Sequence, residues 1–224
     1  MTAIVRCEAA ARTFGAGASA TVALQPTDCE LLANERVALV GPSGSGKSTL
    51  IHLMAGLDQP TSGSVSWPAI GEQRTLRPGP VAVVFQGPSL LPPLTLLENV
   101  ALPLILEAKP EPEARERALA ALALLRLEEL GDKLPEEVSG GQAQRAAAAR
   151  ALAGRPRLLL ADEPTGQLDR PSGMEVVDAL LTAADETGAT LLLSTHDPAV
   201  AARLPERWEM RSGRLLEREP AWSR

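Results

Sequence analysis

Apolar residues gather in short unbroken runs near both ends of this chain and spread among charges in its middle third. Residues 37–40 and 158–161 are such runs, and 190–194 joins them. Each has the length and continuity of a strand buried on both faces. Residues 4–7 and 21–24 predict two short strands around a Gly/Ala turn at 15–18. Residues 64–67 and 81–85 predict two more, separated by a Pro/Gly-rich connector at 68–80. From Gly87 to Gly154 the pattern turns helical, with helices over 111–125 and 140–153. Strand and helix then alternate, with helices over 171–187, closed by Gly188, and 198–204; an earlier helix over 50–55 follows the run at 37–40. Residues 207–210 and 215–218, joined through Ser212-Gly213, suggest a closing hairpin. The pattern describes a parallel α/β core interrupted by a helical insertion.

Composition adds limits. A chain of 224 residues, 45% hydrophobic and 22% charged, has the balance of a soluble globular protein of one domain or one domain carrying a subdomain. A net charge of −6 without a dense basic tract argues against a nucleic-acid partner. Cys7 and Cys29 lack metal-ligand spacing and read as reduced core or surface thiols. Residues 1–8 show no charged-then-apolar signal pattern. Glu98, Arg126 and Asp162 keep the best apolar stretches short of the roughly 18 residues that a membrane span needs. The expectation is a chain that does not cross a membrane and works in the cytoplasm.

The most specific chemistry lies in Gly41-Pro42-Ser43-Gly44-Ser45-Gly46-Lys47-Ser48-Thr49, between a predicted strand and a predicted helix. It fits G-x-x-x-x-G-K-[ST]. Glycines let the backbone curl so that successive N–H groups face phosphate oxygens, and the helix N-terminus adds its positive dipole end. Lys47 can reach the β/γ-phosphates and the Ser48 hydroxyl can ligate Mg²⁺. The chain has only three lysines, so one at this position is informative. The loop predicts nucleotide binding.

A nucleoside triphosphate needs a second anchor for its metal, and the run ending Leu160-Ala161-Asp162-Glu163-Pro164 supplies one. A buried strand delivers its carboxyl end to the ligand crevice of an α/β sheet, where Asp162 can hold Mg²⁺ through water. Glu163 follows and is placed to polarise an attacking water.

Val138-Ser139-Gly140-Gly141-Gln142 before a helix resembles the signature of the ATP-binding cassette (ABC) ATPases. In physical terms it is a second anion site, a hydroxyl and glycine amides at a helix N-terminus. The resemblance implies that Ser139, Gly140, Gly141 and Gln142 face the γ-phosphate of ATP bound to a second copy, so that two chains sandwich two ATPs. Other family elements appear in order. Val83-Val84-Phe85-Gln86 resembles the Q-loop strand, with Gln86 contacting Mg²⁺ or the lytic water. Gly166-Gln167-Leu168-Asp169 resembles the D-loop, with Gln167 where Ala or Asn is commoner. Leu193-Ser194-Thr195-His196-Asp197 resembles the switch segment, where His196 would contact the γ-phosphate. Arg12-Thr13-Phe14-Gly15 aligns with the segment whose aromatic residue stacks on adenine, with a core Phe14 as the alternative.

The resemblance implies a P-loop NTPase fold: an ABC ATPase core over 1–86 and 155–224, with an N-terminal antiparallel β subdomain, and an inserted α-helical signature subdomain over 87–154. It implies an Mg²⁺-dependent ATPase that forms a homodimer, pairs with an integral membrane permease and sits on the inner face of the cell membrane. Residues 90–100 with Pro103, residues 162–169 and residues 195–198 look like the lipoprotein-release and macrolide-efflux branch. The short, proline-rich 68–80 departs from that branch, which carries a longer charged segment there. A soluble ABC ATPase acting on DNA or ribosomes is the alternative. It would call for a coiled-coil insertion, zinc cysteines or a tandem cassette, none of which this sequence has.

Overall fold

The structure is a computed structural model describing residues 2–220. Its centre is a six-stranded sheet in the order β5-β6-β7-β3-β8-β9. The strands β3 (Arg36–Val40), β5 (Val81–Val84), β6 (Leu158–Asp162), β7 (Thr190–Thr195) and β8 (Glu206–Arg211) run parallel, and β9 (Arg214–Pro220) closes the sheet antiparallel to β8. Every residue of β6 and β7 is buried, as interior strands covered on both faces must be.

Alternation along the strands divides the core. Val37 and Leu39 of β3 and Leu158 and Leu160 of β6 face a cluster built with α1 (Lys47–Met54) and a three-stranded antiparallel sheet. That sheet has the order β2-β1-β4, formed by β1 (Ala3–Phe14), β2 (Thr21–Leu32) and β4 (Ser62–Ser66). Ala38, Val40, Leu159 and Ala161 face the opposite cluster, which holds Val176, Val177 and Leu180 of α5 (Arg170–Thr187). The same cluster continues into three helices, α2 (Leu96–Leu106), α3 (Glu111–Leu124) and α4 (Gly140–Ala153).

Local signals explain most boundaries. Thr95 and Glu98 form a reciprocal capping box at α2, and Ser139 and Gln142 form another at α4. Asp169 caps α5, and Gly188 ends it at φ 67°, a left-handed conformation costly for other residues. The buried face of α4 is almost entirely alanine, which lets it approach α2 and α3 closely. Asn99, fully buried on α2, donates to Leu91 O, Leu94 O and Thr95 O and accepts from Leu91 N, so one amide shapes the loop before the helix.

Three elements differ from the sequence expectation. β1 and β2 each run twelve residues rather than four. A bulge with Ala9 at φ 45° breaks the alternation of β1, and Pro26 interrupts β2, so each strand reads as a fragment. The predicted helix over 198–204 is only α6 (Pro198–Ala201), because tighter bonds from Arg203 N to Val200 O and Leu204 N to Ala201 O turn the chain away. Cys7 and Cys29 are both buried and face each other across β1 and β2.

Candidate active site

Parallel pairing brings the C-terminal ends of β3, β6 and β7 to one crevice, with Asp162 opposite Ser194 and Val40 opposite Thr195. Residues 41–46 leave β3 and Lys47 opens α1 directly behind them. Gly46, at φ 100°, is the residue that makes this turn. A side chain there would meet Ala23 O at 2.5 Å, so neither the backbone conformation nor the space admits one. The turn between β8 and β9 buttresses the loop, as Gly213 N donates to Ser45 O at 2.9 Å.

Lys47 is nearly inaccessible. Its Nζ donates to Gly41 O at 2.9 Å and Pro42 O at 3.1 Å, and lies 3.2 Å from Glu163 Oε1. The other Glu163 oxygen, Oε2, is 3.0 Å from His196 Nδ1. One carboxylate thus stands between a buried ammonium and an exposed imidazole. Glu163 takes a φ of 44°, a conformation uncommon outside glycine, asparagine and aspartate. Its amide donates to Ser194 Oγ at 2.9 Å and to Ser194 O at 3.2 Å, which holds the strained turn in place. Asp162 is buried and accepts from Ser194 Oγ at 2.6 Å.

Three of the sequence-predicted groups therefore converge: the loop 41–49, the Asp162-Glu163 pair and His196. Ser48 faces solvent at the start of α1 and Thr49 is half-buried beside it. Gln86 follows β5 beside Gly166, where its Nε2 would be 3.3 Å from a Cβ placed on that glycine. Phe14, 45% exposed at the end of β1, is not a core residue; its ring lies under the Arg12 guanidinium. Ser139 and Gln142 are engaged with each other in the α4 cap, at 2.8 and 3.2 Å. Gly141 adjoins Leu168, the neighbour of Asp169; a Cβ placed on Gly141 would lie 3.6 Å from Leu168 Cδ2. Asp169 accepts from the Ser172 amide and hydroxyl, which hold its carboxyl below the usual carboxylate range. The segment 139–142 belongs to α4, which packs on α2, α3, α5 and β5, whereas α1 packs on β1, β2 and β6.

Two residues without an assigned role in the sequence reading prove to be structural links of this site. Ser194 bonds the Asp162 carboxylate and the Glu163 backbone amide; its signal is the hydroxyl pair Ser194-Thr195 that closes the buried apolar run 191–193. Gln144, fully buried on α4, donates to Phe85 O at 2.7 Å and Pro164 O at 3.4 Å. It links the signature helix to the chain leaving β5 beside Gln86 and to the chain leaving β6 beside Glu163.

Known proteins resemble this chain over most of its length. The model of the family described as ABC transporter matches residues 24–166, more than half of the chain. The lipoprotein-releasing system ATP-binding protein LolD of Hydrogenovibrio crunogenus is 43% identical over 203 residues, covering 88% of each chain. LolD 2 of Rhodospirillum rubrum is 44% identical over 226 residues, covering 97% of this chain and 98% of its own. Among solved structures, the dimeric post-hydrolysis state of the ATP-binding cassette MJ0796, bound to ADP and Pi, superposes with a TM-score of 0.89 at 35% identity, covering 98% of this chain and all of that one. CbiO1 of Clostridium perfringens, part of the ABC transporter complex cbiONQ, gives 0.84 at 28% identity, covering 99% and 90%. The chain belongs to the ABC transporter family, as one of its ATP-binding ATPase cassettes.

Proposed function

We propose that this protein is the ATPase subunit of a membrane transport complex of the lipoprotein-releasing type, converting ATP-driven closure of two copies into movement of an integral membrane permease. The observation that carries the reading is the Glu163 carboxylate held between Lys47 and His196, beside Asp162. In this role Lys47 meets the β/γ-phosphates, the amides and hydroxyls of 41–49 line the phosphates, and Phe14 receives the adenine. Glu163 takes a proton from the attacking water, and His196, already paired with Glu163, reaches the γ-phosphate. Ser139, Gly140, Gly141 and Gln142 of one copy cap the nucleotide of the other, with Asp169 nearby as the residue that reports across the pair.

The residues fit a bound Mg·ATP. Ser45 Oγ is buried in the phosphate loop without a partner, an orphan that a phosphate oxygen would satisfy. Among the described residues no cluster of three or more His, Cys, Asp or Glu forms a metal cage. Mg²⁺ ordinarily takes one or two carboxylates, with substrate phosphates and water completing its shell. Ser48, Asp162 and Gln86 are the groups that would hold it, and bound there it would neutralise charge on the phosphate oxygens.

In this reading a nucleotide-binding core over 1–86 and 155–224 works with a helical subdomain over 87–154, a division supported by the contacts of α2, α3 and α4 with one another. No described helix is long and apolar enough to cross a membrane, so a peripheral place on the inner face depends on the permease. Net charge −6 supports a protein partner rather than nucleic acid. Affinity purification of the tagged chain from detergent-solubilised membranes tests the assignment. A multispanning membrane protein should co-purify in stoichiometric amount, and recovery of the chain with ribosomes or DNA instead would overturn it.

A further inference from the structure

Arg12 and Phe14 stand two residues apart near the end of β1, and the Arg12 guanidinium carbon lies 4.6 Å from the centre of the Phe14 ring. The same guanidinium donates through Nε to Asp58 Oδ2 at 2.8 Å, both side chains being partly buried. An exposed phenyl ring at a strand end has little packing to fix its rotamer. A cation held over one face supplies that restraint, because the ring's negative face attracts it. Asp58 sits just beyond α1, where Leu57 N and Asp58 N both donate to His52 O. Thr61 N donates to Ala11 O at 2.7 Å and Thr13 N to Thr61 Oγ1 at 3.0 Å. The end of β1 is thereby fastened to the segment that leaves the phosphate-loop helix.

We propose that Arg12, anchored by Asp58, is a positioning residue for the nucleobase. It fixes the Phe14 ring with one face covered and the other available to a purine whose phosphates occupy 41–49. The inference rests on the reading of Phe14 as the base platform. A guanidinium on the covered face also draws π density from the ring, which favours stacking against an electron-rich purine. Arg12 has no part in the phosphate cradle, so its effect falls on the base alone. That separates positioning from a general structural role.

The test compares Mg·ATP with Mg·tripolyphosphate, which has the phosphates but no base, by calorimetric titration of the full chain. Arg12→Met keeps the stem and removes the cation. It should weaken ATP by roughly two- to fivefold and leave tripolyphosphate unchanged. Arg12→Lys retains a cation and should return ATP affinity towards that of the unaltered chain. Phe14→Ala is the control for the platform and should weaken ATP by about five- to 150-fold, again sparing tripolyphosphate. Unchanged ATP affinity in Arg12→Met alongside a loss in Phe14→Ala would overturn the inference and leave the platform standing. No loss in Phe14→Ala would overturn both. Equal losses for the two ligands in Arg12→Met would also overturn it, since the effect would then lie in the phosphate loop.

Discussion

Ser194 Oγ donates a 2.6 Å hydrogen bond to Asp162 Oδ1 across the paired ends of β6 and β7. Because the same oxygen accepts from the Glu163 amide at 2.9 Å, one buried hydroxyl holds the Asp162 carboxylate and the backbone of Glu163. Neighbouring strands thus share the work of holding a turn whose φ is unfavourable.

Removing that hydroxyl should be costly. Ser194→Ala leaves a buried Asp162 oxygen without its partner and the Glu163 amide with only its longer bond to Ser194 O, a loss of about 1–3 kcal/mol. Urea denaturation should report it as a lower midpoint with an unchanged slope. The ATPase kcat should fall more than the apparent affinity for ATP, since the disturbed groups face the lytic water rather than the phosphate loop. A variant with normal stability and turnover would show that the bond contributes little.

Glu163→Gln preserves the shape of the side chain but cannot accept a proton as a carboxylate does. ATP binding should persist while turnover drops by about 10²–10⁴. With hydrolysis blocked, an ATP-bound dimer should accumulate on size-exclusion chromatography. Rates near those of the unaltered chain, measured with the permease present, would remove Glu163 from the role of general base.

Lys47→Ala acts earlier. It takes the only ammonium from the phosphate loop and leaves the Glu163 carboxylate with His196 as its remaining ionisable partner among the described contacts. Affinity for Mg·ATP itself should fall, which calorimetric titration measures directly. An unchanged Kd would mean that the nucleotide binds elsewhere.

Mixing two defective chains probes the shared site. Lys47→Ala spoils the phosphate loop and Ser139→Arg spoils the α4 cap, so each homodimer should be nearly inactive. A heterodimer of the two would retain one intact composite site, and mixing should restore part of the ATPase rate. Absence of recovery, with heterodimers demonstrated, would count against sites built from two chains.

Acid should loosen the start of α5. The Ser172 amide and hydroxyl hold the Asp169 carboxyl below the usual carboxylate range, so its charged form is favoured by folding. The contribution of this cap is complete above the unfolded value and disappears as pH falls through the lower, folded one. NMR titration of the Asp169 side chain should give a midpoint below that of an ordinary aspartate, and a midpoint at or above the ordinary one would contradict the capping geometry.

Much of the molecule is legible along the chain because its signals are short-ranged. Strands β3, β6 and β7 announce themselves by unbroken apolar runs, since interior strands have no polar face to show. Helix α4 begins after Ser139, and α5 ends at Gly188, because caps satisfy backbone groups within three or four residues. The phosphate loop is legible for the same reason: its shape is a property of nine consecutive residues. β1 and β2 are not legible in full, because a bulge at Ala9 and a proline at position 26 break the alternation while pairing across the sheet carries the strands through.

The relations that make a catalytic site belong to the other category. Nothing near Lys47 in the chain indicates that its ammonium rests against Glu163, or that Ser194 holds Asp162, or that Arg12 covers Phe14 on a bond to Asp58. Those contacts follow from strand order, which sets β6 beside β7 and β7 beside β3, and so brings to one crevice three chain ends that lie far apart in sequence. Propensity and capping act over a few residues and cannot choose among strand orders. Burying both faces of one sheet can, because it links every strand to every other through a common core.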